Sequence, residues 1–351
     1  MTFEEFIMQA REMNASDIHL TVGAPTVVRV NGELRKYTEL SDQVVNRTIL
    51  SILSAEQEKM LTEGKDIDFS FELKNGASQS VNVFRQSGKL AACIRLLNAE
   101  IPTLEELKMP PVLLEFAKKR RGLVLVTGPT GAGKSTTLAA LMEYINKTRA
   151  CHVITIEDPI EYRYKQEKAT IHQRELGRDV PSFHEALRSA LREDPDVILI
   201  GEMRDYETIS LAMTAAETGH LVFGTLHTSS AAQTVDRIID ACPIHSQDQV
   251  RSQLASMIQG IIAQTLIPRA DGKGRVAAVE VMIGTDAIRN LIRSAKINMM
   301  ETTMAAGARD GMCTLNASLA NLYKTGQISY ETALEYATDR GEMEKKLLSG
   351  I

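Results

Sequence analysis

GPTGAGKSTT, residues Gly128 to Thr137, places three glycines ahead of a Lys-Ser pair. Glycine at Gly128, Gly131 and Gly133 lets backbone N–H groups curl around a phosphate without Cβ clashes. The helix after the loop turns its positive end toward the anion. Lys134 can then reach the β- and γ-oxygens, and the Ser135 hydroxyl can ligate Mg²⁺. The loop Gly128, Pro129, Thr130, Gly131, Ala132, Gly133, Lys134, Ser135 and Thr136 is thus expected to hold ATP. The bland alternative is a glycine-rich turn with no ligand. The context argues against it, because an apolar strand, LVLV at Leu123–Val126, precedes the loop and a helical pattern comes after it.

On either side of this loop the chain changes texture. Aliphatic runs at Leu123–Val126, Val153–Ile156, Val197–Ile200 and Leu221–Phe223 alternate with helical stretches, as a parallel sheet covered on both faces requires. The expected core is therefore α/β. The first hundred residues instead alternate short β-prone runs with Asn-Gly turns, in TVVRVNGEL and in DIDFSFELKNGASQSVNVF, and read as a small α+β domain with an antiparallel sheet. The opening MTFEEFIMQAREM reads as a helix with Phe3, Phe6, Ile7 and Ala10 on one face. Pro102, Pro110 and Pro111 interrupt helix and strand alike. The expected divisions are an N-terminal domain over 1–98, a linker over 99–112, an ATPase core over 113–285 and a helical C-terminal region over 286–351. Asp-Gly-Lys-Gly at 271–274 marks a hairpin before that region.

Composition bounds the function. At 351 residues, 44% of them hydrophobic and 24% charged, the chain can bury two ordinary cores and is neither disordered nor fibrous. Its longest aliphatic strings fall far short of the roughly 20 residues of a membrane-spanning helix. Acids stand where a signal peptide would be basic. Four scattered cysteines with no CxxC pair make zinc and disulfides poor readings and point to the reducing cytoplasm. A net charge of −5 gives no global reason to bind nucleic acid, though a local basic channel stays open.

Hydrolysis needs a base near the γ-phosphate. In DPDVILIGEMRD a buried strand ends in Gly201 and Glu202, at the carboxyl edge where such sheets meet their ligands. Glu202 is the candidate general base; a helix-opening acid is its plain structural alternative. ITIEDPIEY ends another strand with Glu157, Asp158 and Glu161, which could position the nucleophile or, at Asp158, hold Mg²⁺ through water. A solvated acidic loop would look the same. TGHLVFGTLHTSS brackets a strand with His220 and His227. About seven residues, or some 20 Å, separate the two rings, so they cannot share one small site. His227, at the carboxyl end, is the expected neighbour of the γ-phosphate; for His220 a structural hydrogen bond weighs as much as a functional role.

With these residues in view, the chain resembles the secretion and type IV pilus ATPases, and within them the retraction ATPases of twitching motility. GPTGAGKSTTLAALMEYIN is similar to the family's Walker A segment, ITIEDPIEY to its Asp box, LREDPDVILIGEMRDYETI to its Walker B segment and TGHLVFGTLHTSSAAQTVDRIID to its His box. AIRNLIR at Ala287–Arg293 is similar to the signature of the retraction branch. On its own terms it is an amphipathic helix with Ala287, Ile288, Leu291 and Ile292 on one face, Arg289 and Arg293 on another, and Asp286 able to cap it. A plain packing helix is the alternative. Extension and type II relatives generally carry a longer N-terminal region and a tetracysteine insert. This chain begins close to SDIHLTVG and passes the insert's place without a cysteine, which favours retraction.

The resemblance implies a PAS-like N-terminal domain, a RecA-like ATPase domain and a homo-hexamer. It also implies work on an inner-membrane platform protein and, indirectly, on pilin, from the cytoplasmic face of the inner membrane. N-terminal-domain arginines are implied at the γ-phosphate, a role suited to a rigid guanidinium fork. Arg95 in ACIRLL matches one such position. Where relatives show RFRVN this chain reads SQSVNVF, with Gln79 and Ser80 in place of the arginines; Arg85, five residues on, is the candidate substitute, against a plain surface arginine. Three other readings compete: a pilus-extension or type II secretion ATPase, a RecA-like nucleic-acid translocase, and a nucleotide-dependent binding switch. With 5% aromatic residues and no tryptophan, stacking platforms for single strands are scarce. Glu202 argues against a switch that hardly hydrolyses.

Overall fold

The computed structural model describes residues 3–30, 32–73, 78–96 and 100–348. The chain divides into two compact bodies, Met1–Glu100 with Pro159–Arg163, and Ile101–Asp158 with Tyr164–Ile351.

The first body is built on six antiparallel strands: β1 (Ala15–Thr21), β2 (Thr26–Val30), β3 (Glu33–Thr38), β4 (Ile67–Glu72), β5 (Ser78–Gln86) and β6 (Lys89–Leu96). They lie in the order β3-β2-β1-β6-β5-β4. Alternation drives one face inward: Leu90, Ala92, Ile94 and Leu96 of β6 are buried with Val81 and Val83 of β5, while Arg95 points out. The helices Phe3–Glu12, Asp42–Leu50 and Ala55–Thr62 supply the rest of this body, with Phe6, Ile7, Val45, Ile49 and Leu61 in its core. Phe3 completes the expected face of the first helix through an edge-on contact with Phe71, ring centroids 5.4 Å apart. Gly32, at φ +86°, lies in the β2–β3 turn, while Asn31 and the Asn75-Gly76 turn lie outside the described residues.

The second body carries β7 (Gly122–Thr127), β8 (His152–Glu157), β9 (Thr170–Glu175), β10 (Val197–Ile200), β11 (Leu221–Leu226), β12 (Ile258–Pro268) and β13 (Arg275–Ile283). Their order is β13-β12-β7-β11-β10-β8-β9. All neighbours are parallel except the β12–β13 hairpin. Successive residues of one strand feed two cores: Leu123 and Leu125 join Ile198, Ile200 and Val222 on one face, and Val124 and Val126 join Leu199, Leu221 and Phe223 on the other. This two-sided demand is why the strands read as unbroken aliphatic runs. The polar edge strand β9, TIHQRE, has no such run and escapes a hydrophobicity reading. From Ile101 the stretch expected as a linker belongs to this body, because Leu104 and Met109 are buried in its core.

Candidate functional site

Parallel strands bring their carboxyl ends to one edge. Register aligns Thr127 of β7 with Leu226 of β11, and Ile200 of β10 with Gly224 of β11 and Ile156 of β8. Four segments therefore meet there: the phosphate loop after β7, His227 after β11, Gly201-Glu202 after β10, and Glu157-Asp158 at the end of β8. One strand, β11, separates β7 from β10, so the loop and Glu202 start about 10 Å apart, room for a γ-phosphate and a water.

The loop's glycines are used. Gly128 adopts φ +141° and Gly133 φ +87°, and a Cβ on Gly128 would lie 2.2 Å from the Gln264 carbonyl oxygen. Gly133 caps the helix Lys134–Thr148 with no side-chain bond, leaving its first N–H groups directed at the site. Lys134 Nζ folds back across the loop, donating to the carbonyls of Gly128 at 2.8 Å and Pro129 at 3.1 Å. Ser135 and Thr136 sit in the helix's first turn.

Gln264 escapes a reading of the sequence alone. Buried in β12, it accepts from Thr137 Oγ1 at 2.9 Å and donates through Nε2 to the Ala132 carbonyl at 2.6 Å. It thereby ties the loop to the helix behind it. The available signal is a lone amide in the apolar run IIAQTL. Gln264→Leu should strand two buried polar groups and cost about 1–3 kcal/mol, visible as a lower melting temperature together with weaker nucleotide binding; an unchanged affinity would show that the loop needs no brace.

Glu202 is held on both oxygens. Arg204 Nε lies 2.6 Å from Oε1 and Arg204 Nη2 2.6 Å from Oε2, and His227 Nε2 donates to Oε1 at 2.8 Å. Burial alone would raise its carboxyl. The hydrogen bond and charge of Arg204, then those of His227, outweigh burial and hold the group below its ordinary 4.5. Glu202 is thus ionised at neutral pH, the state a base requires. Removing Arg204 leaves burial in command, so Arg204→Ala should move the acid limb of kcat/KM to higher pH. A limb that stays in place would show that His227 alone sets the charge. His227, expected beside the γ-phosphate, is placed against Glu202; Arg204 escapes a reading of the sequence because an arginine four residues past a strand reads as surface charge.

The remaining candidates take separate places. Glu157 accepts from Thr155 Oγ1 at 2.5 Å and Gln173 Nε2 at 3.1 Å, a fixed carboxylate on the site edge. Asp158 acts electrostatically on Arg204. Hydroxyl and carboxylate oxygens are the hard donors Mg²⁺ prefers, and among the described residues no group of three or more His, Cys, Asp or Glu could hold an ion. The Ser135 hydroxyl and the Asp158 carboxylate are hard donors of that kind. His220 takes the structural part: its Nδ1 lies 2.9 Å from the Ala215 carbonyl at a helix end.

Glu161 lies in Pro159–Arg163, which belongs to the first body, as do the two arginines. Arg95 is exposed and donates through Nε to Asp17 at 3.1 Å. Among the described residues Arg85 makes long contacts, 3.4 Å each, to the Leu61 and Gly88 carbonyls. Arg95 pairs with Ser80, five residues from Arg85, so the two arginines stand on opposite faces of the sheet. Gln79 is also on the buried face. The arginines of RFRVN stand two apart, on one face, and laid on SQSVN they fall at positions 78 and 80. That corrects the expected replacement at Gln79, and Arg85 cannot present its side chain from the face of Arg95.

In the C-terminal region Ile288 and Ile292 of AIRNLIR are buried and Leu291 is half-buried, as the pattern required, but Ala287 is exposed. Thr285 caps this helix through Ile288 N at 3.4 Å, and Asp286, the expected cap, is its first helical residue. Before it, in β13, stands the buried Glu280. Its Oε1 accepts from Ala231 N at 2.7 Å, and its carboxylate also takes the Leu315 backbone N–H. Burial pushes this carboxyl up.

Residues 1–344 match the family described as Type II/IV secretion system protein. The chain is 49% identical over 339 residues to the type IV pilus retraction ATPase PilT of Pseudomonas aeruginosa, covering 96% of this chain and 98% of that one. It is 48% identical over 319 residues to a twitching motility protein of Neisseria gonorrhoeae, covering 90% and 85%. A crystal structure of the pilus retraction motor PilT with bound ADP superposes with a TM-score of 0.91 at 47% identity, over 98% of this chain and 99% of that one. With the phosphate loop, the β10 carboxylate and the two-body division all in place, this chain belongs to the type II/IV secretion system protein family.

Proposed function

We propose that this chain is an ATP-hydrolysing motor that powers type IV pilus retraction, working as a homo-hexamer at the cytoplasmic face of the inner membrane. The observation that carries the reading is the meeting of the phosphate loop and an ionised, oriented Glu202 on one sheet edge, in a chain alike over its whole length to retraction ATPases. Among the described residues no helix is long and apolar enough to cross a membrane, so the motor would meet the bilayer through a platform protein and pilin through that platform.

The loop N–H groups and Lys134 hold the β- and γ-phosphates, for which Lys134 exchanges its two carbonyl contacts. A cavity of about 240 Å³ beside Gly133, Thr136 and Gln264, bounded by Met109 and Arg275, takes the nucleoside. Ser135, and Asp158 through water, would hold a Mg²⁺ ion, which when bound would supply positive charge beside the phosphoryl oxygens. Glu202 takes the proton of the attacking water as the bond to the ADP oxygen breaks, with His227 fixing the carboxylate's orientation and Glu157 the solvent at the strand edge. Arg95 is the candidate arginine for charge balance at a γ-phosphate, in the same or a neighbouring protomer. Closure and release of the two bodies then deliver the stroke.

Deleting the gene in a piliated bacterium tests the reading. Hyperpiliated, non-motile cells are the expected result; bald cells would assign extension instead. Stimulation of turnover by single-stranded DNA would assign the translocase.

A further inference from the structure

The sheet edge opposite the phosphate loop carries a ridge of cations. Lys118, Lys119, Arg120 and Arg121 run into the start of β7 and are all exposed. Lys118 is taken by Glu115 at 2.6 Å, while the other three have no ion pair among the described residues. Their backbone is fixed: Arg149 Nη1 donates to the carbonyls of Ala117 at 2.8 Å and Lys119 at 3.0 Å, and Gln259 Nε2 to that of Arg121 at 3.2 Å. The residue before Gln259, Ile258, offers its carbonyl to Arg289 Nη2 at 3.2 Å. The helix Asp286–Arg293 is thereby fastened beside the ridge, and Arg293, four residues beyond Arg289, adds an exposed cation on the same side.

Arg289 is the anomaly. It is half-buried, its Nε is fully enclosed without a partner, and among the described residues no carboxylate pairs with its guanidinium. A guanidinium drawn partly out of water normally has an acid beside it. The acid nearest in sequence, Asp286, opens the same helix and forms no ion pair among the described residues. In a chain of net charge −5, this concentration of unmatched positive charge is local design rather than composition.

We propose that this edge docks an extended, acidic protein segment, whose carboxylates pair with Arg120, Arg121 and Arg293 and one of which reaches into Arg289. The proposal rests on the motor reading and names the chemistry by which the motor would grip what it drives. A bilayer's headgroups could meet the exposed ridge, but a recessed fork asks for a carboxylate on a flexible side chain, which favours a peptide.

The probe is a fluorescein-labelled oligoglutamate, read by fluorescence anisotropy on the full chain with Mg·ADP saturating, so that the phosphate loop cannot take the peptide. Binding should weaken steeply with salt, and the double variant Arg120→Glu, Arg121→Glu should lose at least about tenfold in affinity. Arg289→Gln should lose a similar factor with less change in salt dependence. Its melting curve, and that of the double variant, verify folding. Peptide binding that survives both variants, or no binding at low salt, overturns the proposal. So does co-sedimentation with phosphatidylglycerol vesicles without peptide binding, which would assign the ridge to the membrane. ATP turnover of the same preparation is read separately and reports on the motor reading alone.

Discussion

Glu202→Gln is expected to lower ATP turnover by about 10²–10⁴-fold, the usual worth of a positioned base, while nucleotide affinity stays near its original value. The amide keeps the shape of the carboxylate, but it cannot take the proton of water. It also turns an NH₂ toward one of its donors, Arg204 or His227. Turnover that survives the change would remove the base from the scheme and revive the nucleotide-switch reading; a collapse of binding along with turnover would make Glu202 part of the phosphate cradle. Turnover and equilibrium binding of a fluorescent ATP analogue, measured on one preparation, separate these outcomes.

Gly128→Ala is expected to damage stability and nucleotide binding together. The added carbon would stand 2.2 Å from the Gln264 carbonyl oxygen, a backbone atom of β12, and the residue would have to hold φ +141°. Left-handed strain alone costs about 1–3 kcal/mol, and the clash adds to it because a paired strand cannot withdraw. A loss above about 3 kcal/mol in stability, together with loss of nucleotide binding, is the expected result from thermal unfolding and titration. The same change at Gly131, whose Cβ would meet nothing within 4 Å, should cost only the φ strain. Equal damage at both positions would mean that the conformation, not the contact with β12, is what matters.

The contrast shows what a linear string can and cannot reveal. Gly128 and Glu202 were legible because each comes just after an aliphatic run, and the carboxyl end of such a run in a two-sided sheet is where ligands gather. Gln264 and Arg204 were not, since their roles depend on which strand lies beside β7 and on how the chain turns after β10, and neither is written in local spacing. β9 was hidden for a related reason: at the sheet edge it need not be apolar. The two N-terminal arginines illustrate the period of two. Sequence distance made Arg85 a plausible stand-in, but five residues is an odd number and turns the side chain to the wrong face. The helix at Asp286 buries three residues of the expected stripe, Ile288, Leu291 in part and Ile292, but exposes Ala287, and its cap falls one residue early, at Thr285.

Glu280 has a bearing on how the molecule can be dismantled. Its single enclosed carboxylate receives the opening amide of the helix that begins after His227 and also that of the helix beginning at Leu315. A protease that trims the tail before Leu315 would leave a buried carboxyl without the Leu315 amide, and the loop carrying His227 would loosen with it. The terminal helices are thus a keystone rather than a detachable handle, and shortened versions of this chain should lose catalytic order before they lose their sheets.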